Sequence, residues 1–294
     1  MSPAIWVTLV HYQRPAEIFA ALDSLANSAL SCRAVVVDND PATCPTAQIA
    51  ARGAEVLAAG GNVGFAAAHN LGIARALAGG ADFVFLLNDD ARVEPATIGL
   101  LIAALRADPA AAFAGPKVLL RENPGVLLSA GMTLDRAGRS RQRGIGETDA
   151  GQWDAPAAVD ALSGCALLAR RAAIERIGPL DPRYFLYRED VDWCWRARRA
   201  GLRCLYVPAA RAFHPDTRAR DAGSPLLTYY LTRNSLLFAR WHKLGLRAEA
   251  DLLAGFARTW LSGSLRPRWR EKQAQRAALL RGALDGLRGR SGAQ

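Results

Sequence analysis

Short apolar runs alternate with segments of helical spacing through the first half of this 294-residue chain. The apolar runs predict strands at about residues 4–10, 34–38, 54–58, 82–87 and 112–118. Between them, apolar residues recur every three or four positions, as at Ile18, Leu22 and Leu25, which predicts helices. A nearly continuous apolar strand is typical of a sheet that is buried on both faces. The alternation therefore predicts an α/β domain with a mostly parallel sheet flanked by helices.

The second half of the chain has a different pattern. Residues 135–157 are polar, rich in glycine and arginine and without periodicity, so we predict a long loop. An apolar strand at 161–169 and a short helix at 171–177 should follow. Acidic residues at 189–192 favour the start of a helix that ends near Gly201. From Leu226 onward, the pattern predicts a helical C-terminal region.

The composition excludes several classes of protein. Apolar residues make up 51% of the chain, which excludes a disordered or fibrous protein, and no uncharged apolar stretch reaches 18 residues, so no bilayer-spanning helix is expected. No basic segment precedes the first apolar run, so we expect no secretory signal and a cytoplasmic location. The five cysteines include no C-x-x-C pair, and we expect them to be reduced and structural.

The formal net charge of +10 is concentrated near the C-terminal end, where residues 264–294 contain eight basic and two acidic side chains. Such a segment favours an anionic partner, and the inner face of the cytoplasmic membrane is one candidate. An apolar stripe of Leu253, Phe256 and Trp260 precedes it. This stripe either rests on that membrane as a peripheral anchor, packs on the catalytic domain, or forms a homodimer. Nucleic acid is not expected as a partner, because no aromatic-basic module or zinc spacing accompanies the charge.

Polar residues follow three of the predicted parallel strands, where ligand sites of α/β sheets gather. Asp38 can accept the N3–H of uracil or thymine, or it can belong to an ordinary Asp-Asn-Asp-Pro turn. In an extended segment, Asn88 and Asp90 point to one side and Asp89 to the other. Two oxygen donors at this spacing suit Mg²⁺ or Mn²⁺. The alternative is that acids at the end of a strand begin the next turn and cap the helix that follows.

An acidic cluster forms the second group of candidate residues. Asp190 at a helix N-terminus should remain ionised and can take a proton from an attacking hydroxyl. The alternative is a solvated first turn in which Asp192 and Arg196 form an i, i+4 ion pair. His214 follows an apolar strand, and it is either a metal ligand or a structural histidine.

Taken in order, these motifs resemble the family-2 inverting glycosyltransferases of the GT-A fold, in particular the rhamnosyltransferase-like bacterial branch. The resemblance extends from about Ala4 to Arg240. The motifs that carry it are Val10-His11-Tyr12-Gln13-Arg14-Pro15, Val37-Asp38-Asn39, Asn62-Val63-Gly64-Phe65 with Asn70-Leu71-Gly72, Leu87-Asn88-Asp89-Asp90, Glu189-Asp190-Val191-Asp192 with Arg196, and His214. Residues 229–234 (Tyr-Tyr-Leu-Thr-Arg-Asn) also resemble a stretch that follows the catalytic domain in this branch.

The resemblance implies a role for each candidate residue. Asp190 would be the catalytic base, and a divalent cation, Mg²⁺ or Mn²⁺, would be held by Asp90 and His214. The residues that the resemblance assigns to the nucleotide-sugar donor are His11, Tyr12, Asp38, Asn62, Asn88, Asp90 and Arg196. Asp38 would contact the base, Asn88 and Asp90 the diphosphate with its metal, and Arg196 the phosphates.

The resemblance also implies the organisation and activity of the chain. A GT-A catalytic domain would occupy residues 1–222, with the nucleotide-sugar half at about 1–119 and the acceptor half at 120–222, followed by a basic helical region at 223–294. The enzyme would transfer a hexose, with a deoxysugar such as rhamnose favoured, from a dTDP- or UDP-sugar to a glycan or lipid-linked saccharide. The alternatives are a catalytically inactive sugar-nucleotide-binding or scaffold protein and a sugar nucleotidyltransferase. The latter would need a glycine-rich, basic loop after the first strand, where His11-Tyr12-Gln13 stands.

Overall fold

The structure is a computed structural model that describes residues 3–216, 224–265 and 273–294. The predicted boundary between residues 222 and 223 lies outside the described residues. The same holds for four cations of the basic segment, namely Arg266, Arg268, Arg270 and Lys272.

The main sheet is mixed and mostly parallel, as the apolar runs predict. The strands in chain order are β1 (Ile5–His11), β2 (Arg33–Asp38), β3 (Glu55–Ala58), β4 (Phe83–Leu87), β5 (Arg92–Val93), β6 (Ala111–Leu120), β7 (Leu127–Ser129), β8 (Met132–Leu134), β9 (Ser140–Gln142), β10 (Ala157–Val159), β11 (Ala166–Arg170) and β12 (Arg203–His214). The order across the sheet is β10-β12-β6-β11-β4-β1-β2-β3, with β5 beside β12 and β7 beside β6. Strands β1 to β4 pair in parallel, whereas β11 is antiparallel to both of its neighbours.

Helices cover both faces of this sheet. In chain order they are α1 (Pro15–Ala26), α2 (Thr46–Ala51), α3 (Phe65–Ala78), α4 (Thr97–Ala107), α5 (Arg171–Ile177), α6 (Glu189–Arg199), α7 (Pro225–Trp241), α8 (Leu246–Leu265) and α9 (Gln273–Leu287). One core contains Ile18 of α1 and Leu101 of α4, and the other contains Ile73 of α3 and Trp193 of α6. The predicted α/β architecture is therefore confirmed, and the carboxyl ends of β1, β2 and β4 meet at one edge.

Residues 135–157 are more ordered than the predicted loop. Strand β9 lies within this segment and pairs with β8 as a separate hairpin. Asp149 and Asp154 from the same segment bind the ammonium group of Lys117, which is buried in β6. These ion pairs order the segment. The prediction missed them because hydrophobic periodicity carries no information about contacts between charged side chains. The predicted strand at 161–169 also begins later, at Ala166.

The C-terminal helices pack against the α/β core and against one another. Phe238 of α7 belongs to the same core as Trp193. Leu253 and Phe256 are half-buried against a cluster that includes Ala137, so this part of the predicted stripe faces protein. Among the described residues, we find no helix that is long and apolar enough to cross a membrane.

Candidate active site

A cavity of about 490 Å³ lies at the edge where the parallel strands end. Tyr12 after β1 and Asn39 after β2 line it, together with Asn62 from the turn after β3. Residues 88–90 after β4 and Asp190 at the start of α6 complete the polar wall. The fold thus brings side chains from distant parts of the sequence into one cavity, as the position of the strand ends predicts.

Asp90 and His214 form the most constrained contact in this cavity. The imidazole Nδ1 lies 2.9 Å from the carbonyl oxygen of Pro215, and because a carbonyl only accepts, Nδ1 must donate. In a neutral ring, Nε2 therefore presents a lone pair. It lies 3.1 Å from Oδ1 of Asp90, which also carries lone pairs. Nδ2 of Asn88 lies 3.1 Å from the same Nε2 and can donate to its lone pair. The contact between Nε2 and Oδ1 of Asp90 is itself favourable only when a proton or a metal cation lies between those two atoms.

The residues around this contact fit a divalent cation. Two cis ligands of an octahedral ion at 2.1 Å are about 3 Å apart, which matches the separation of Nε2 and Oδ1. The Oδ1 of Asn88 is buried nearby and has no hydrogen-bond partner among the described residues. No cluster of three or more His, Cys, Asp or Glu side chains that could hold a metal occurs in the described part of the chain. Two protein ligands leave positions for substrate oxygens, as is usual for Mg²⁺.

The two neighbouring carboxylates of the strand end differ in acidity. Burial disfavours the charge on Asp90, but His214 and Arg14 outweigh burial and lower its pKa to about 2. Arg14 binds the other oxygen, with 2.7 Å between Nη1 and Oδ2. Burial, reinforced by the charge on Asp90, raises the pKa of Asp89 to about 7. Asp89 lines the cavity as well, contrary to the predicted alternation, because β4 ends at Leu87 and a turn follows.

Asp190 lies in the first turn of α6, where its carboxylate accepts two backbone hydrogen bonds. Gly164 N–H donates to Oδ2 at 2.9 Å, and Val191 N–H donates to Oδ1 at 2.7 Å. Burial nevertheless raises the pKa of Asp190, whereas its place at the helix N-terminus alone predicts a readily ionised group. Adjacent Glu189 is buried too, and its pKa lies well above the usual value because of burial and the charge on Asp190.

The backbone at residues 164–165 connects Asp190 to the turn after β4, which contains Asp89 and Asp90. Gly164 binds Asp190, and the carbonyl oxygen of the next residue, Cys165, accepts a hydrogen bond of 2.9 Å from the backbone N–H of Asn88. Burial raises the pKa of the Cys165 thiol to about 12, and the charges of both Asp90 and Asp190 contribute. The cysteine is therefore an unreactive thiol in the cavity wall, and the carboxylates on either side of it share one cavity.

The turns after β2 and β3 are joined by hydrogen bonds. Asn39 donates from Nδ2 to Oδ1 of Asn62 at 3.1 Å, and its own Oδ1 accepts from Val63 N–H at 2.8 Å. His11 and Asp38 lie behind this wall, directly before the lining residues Tyr12 and Asn39. Tyr12 and Asn62 thus line the cavity as predicted. His11 and Asp38 do not line it, and each comes one position before a lining residue in the sequence.

Arg196 is a third predicted site residue that the structure does not bring to the cavity. Its guanidinium binds Asp192 and the carbonyl oxygens of Ile177 and Pro179. These contacts lie beside the C-terminal ends of α5 and α6, so we correct its predicted contact with donor phosphates. The i, i+4 pair with Asp192, the alternative from the sequence, is what the structure contains.

The lining residues that were not singled out by their sequence pattern include Arg14, Glu189 and His69. Arg14 brings a cation next to Asp90, Glu189 adds a buried acid next to Asp190, and His69 lies beside Phe65 within α3. Arg14 and Glu189 stand inside motifs that were recognised, so their neighbours could have indicated them. His69 stands on the apolar face of a helix, and its sequence pattern gives no signal of a cavity.

Comparison with known proteins agrees with this geometry. Residues 3–240 match the family model described as glycosyltransferase like family 2. An N-acetylglucosaminyl-diphospho-decaprenol L-rhamnosyltransferase of Mycobacterium tuberculosis is 28% identical over 275 residues, which cover 84% of this chain and 89% of the relative. A galactofuranosyltransferase of the same organism is 29% identical over 223 residues, covering 73% of this chain and 71% of the relative.

A solved structure supports the fold. The mannosyltransferase of Pyrobaculum calidifontis, in complex with GDP-Man and Mn²⁺, superimposes with a TM-score of 0.58 at 17% identity. The match covers 98% of this chain and 88% of the mannosyltransferase. The sheet topology, the polar cavity at its carboxyl edge and the match over residues 3–240 lead to one conclusion: the chain belongs to glycosyltransferase family 2 and has the GT-A fold.

Proposed function

We propose that this glycosyltransferase transfers a sugar, with inversion, from a nucleotide-diphosphate donor to a hydroxyl of a glycan or lipid-linked saccharide in the synthesis of a cell-surface polysaccharide. The observation that carries the proposal is the presence of Asp190 and the Asp90–His214 pair in one cavity, joined through residues 164–165. A rhamnosyl donor carried by dTDP or UDP is favoured, because a rhamnosyltransferase that acts on a diphospho-decaprenol acceptor matches most of the chain.

Asp190 is the proposed base. Its oxygens are held by the N–H groups of Gly164 and Val191, which fixes the carboxylate while leaving lone pairs for the acceptor. It takes the proton of the acceptor hydroxyl as the hydroxyl oxygen attacks the anomeric carbon and the bond to the diphosphate breaks. Burial favours this role, because a raised pKa makes the carboxylate a stronger base near neutral pH. A single displacement inverts the configuration at the anomeric carbon.

Asp90 and His214 are the proposed holders of a Mg²⁺ or Mn²⁺ ion, with Asn88 beside them. When bound, the ion supplies positive charge that stabilises the departing diphosphate. Arg14 adds a second positive charge at the same place, since it contacts the oxygen of Asp90 that faces away from His214. Tyr12 and Asn62 form the wall proposed for the donor nucleotide. His11 supports this wall through its carbonyl oxygen, which accepts a hydrogen bond of 3.1 Å from the backbone N–H of Asn39. Asp38 precedes Asn39 without lining the cavity, and its contact with the nucleotide base stays a prediction.

A donor panel tests this proposal. The melting temperature of the purified chain is measured with UDP, dTDP, GDP or CMP, each with and without Mn²⁺, since a ligand that binds the folded state raises it. We expect the largest shift with dTDP or UDP in the presence of Mn²⁺. The panel is followed by turnover of the matching labelled sugar donor with and without EDTA. Transfer that continues unchanged in EDTA would remove the cation from the proposal, and binding without any transfer would favour a catalytically inactive binding protein.

We further propose that an anionic membrane on its cytoplasmic side is a partner, and that the outer face of α9 is the contacting surface. Leu280, Leu284 and Leu287 on this face are 39–48% exposed. Arg281 and Arg288 flank them and are also exposed, and each basic residue near an anionic surface contributes about 1 kcal/mol. In flotation, the chain should bind phosphatidylglycerol vesicles but not phosphatidylcholine vesicles, and Leu284→Asp should weaken binding. A dimer on size-exclusion chromatography without vesicle binding would assign this face to a second copy.

A further inference from the structure

The backbone immediately before the proposed base is strained. Phe185, Tyr187 and Arg188 have φ angles of 66°, 65° and 82°, in the left-handed region that non-glycine residues rarely adopt. Three such residues within four positions remain in place only where the surrounding structure holds them, and strain of this kind gathers at functional sites. We refer to residues 184–188 as the arch.

The arch is held from α7 by a fully buried side chain, Asn234. Its Nδ2 group lies 3.1, 2.9 and 2.8 Å from the carbonyl oxygens of Tyr184, Leu186 and Tyr187, and it donates to them. Oδ1 of Asn234 accepts from Nε of Arg233 at 2.9 Å, which fixes the orientation of the amide. One side chain thus binds three carbonyl groups of the arch.

Arg233 strengthens the same attachment. Its Nη2 donates to the carbonyl oxygen of Tyr184 at 2.9 Å, and its Nη1 donates to that of Gly292 at 2.6 Å. The carbonyl oxygen of Phe185 accepts from the N–H of Phe65 at 2.7 Å, and that of Arg188 accepts from the N–H of Asp192 within α6. Every carbonyl from residue 184 to 187 is therefore bonded from outside the arch, on one side by α7 and on the other by the first residue of α3.

The arch is continuous with the catalytic elements. Phe185, Leu186 and Tyr187 line the cavity, and Arg188 is the N-cap residue of α6, two positions before Asp190. If the three carbonyls lost their common donor, the arch would relax, and the cavity wall and the first turn of α6 would move with it. A displacement of about 1 Å in a positioning element can lower a rate 10²-fold.

We infer that Asn234 is a positioning residue for glycosyl transfer: by gathering the carbonyl groups of the arch, it holds the cavity wall and the N-terminus of α6 so that Asp190 faces the acceptor. This inference rests on the proposed role of Asp190. It assigns to residues 229–234 of α7 a direct part in shaping the active site.

Steady-state kinetics of Asn234→Ala, with donor-nucleotide affinity measured separately, test the inference. We expect kcat to fall by about 10²-fold while the dissociation constant of the nucleotide changes by less than about threefold, because the donor wall is formed by other elements. The matched control is Leu236→Ala, a fully buried residue of the same helix that packs towards Ala248 and Leu252. Its kcat should stay within about threefold of wild type below its melting temperature.

The outcomes separate the two proposals. A folded Asn234→Ala enzyme with wild-type kcat, or an equal loss of kcat in Leu236→Ala, would overturn the positioning role. If Asn234→Ala does not fold, Asn234→Ser replaces it, because one hydroxyl can serve only one of the three carbonyls; an intermediate kcat supports the inference and a wild-type kcat overturns it. Wild-type transfer by Asp190→Asn would instead overturn the proposed function itself.

Discussion

His69 should make the stability of this protein depend on pH in a way that can be calculated. Its side chain is fully buried, Nδ1 lies 3.4 Å from Oγ1 of Thr8, and Nε2 has no hydrogen-bond partner among the described residues. The ring packs edge-to-face on Phe65 with 4.4 Å between centroids. Burial lowers the pKa of this imidazole to about 3, and no charged group among the described residues offsets that effect.

The size of the effect follows from linkage. In the unfolded chain a histidine titrates near pH 6.5, so below that pH the unfolded state binds a proton that the folded state does not. The contribution of His69 to stability is therefore fully present above about pH 7 and is lost as the pH falls. At pH 5 the unfolded imidazole is 1.5 pH units below its pKa, so the loss is about 2 kcal/mol. This figure is insensitive to the folded value, because any folded pKa well below 5 gives the same result.

The contribution of His69 is measured by urea unfolding of the wild type and of His69→Asn at pH 7 and at pH 5. Wild type should lose about 2 kcal/mol more than the variant between the two pH values. The comparison with the variant is needed because burial also lowers the pKa of His11, which contributes in the same direction in both proteins. Equal losses in the two proteins would show that His69 is charged in the folded state or reaches solvent, and the account of its burial would then be wrong.

Two further predictions concern packing and the corrected role of Arg196. A Cβ at Gly282 would lie 2.6 Å from the carbonyl oxygen of Tyr229, so Gly282→Ala should destabilise by about 1–3 kcal/mol in thermal unfolding. Gly255→Ala is the control, because its nearest neighbour is an ordinary 3.7 Å away and a helix interior favours alanine by about 1 kcal/mol; a loss there would contradict the packing of α8. Arg196→Met should lower the melting temperature but leave donor affinity within about threefold, whereas a tenfold loss of affinity would return Arg196 to the donor site.

The parallel strands were predictable because burial on both sheet faces leaves a continuous apolar run, as in Phe83–Leu87. Their carboxyl ends then placed Asn88 and Asp90 in the site. The prediction that Asp89 points away from Asn88 and Asp90 was wrong. Side chains alternate between two faces only while the chain is extended, and β4 ends at Leu87, one residue before Asn88.

Long-range contacts were not predictable. The attachment of Lys117 to Asp149 and Asp154 orders a segment with no periodicity, and the direction of Arg196 depends on carbonyl groups at the end of another helix. The raised pKa of Asp190 has the same origin. A helix N-terminus is visible in a sequence and lowers a pKa, but the burial that raises it comes from the tertiary structure.

Asp190→Asn tests the central claim most directly. The substitution keeps the size of the side chain and removes its basicity, and in the proposed mechanism Asp190 acts on the acceptor rather than on the donor. The rate of transfer from a labelled donor should fall by at least about 10²-fold, while the dissociation constant of the donor nucleotide in the presence of Mn²⁺ stays within about threefold of wild type. Transfer at the wild-type rate by a folded Asp190→Asn protein would contradict the assignment of the base and, with it, the proposed mechanism.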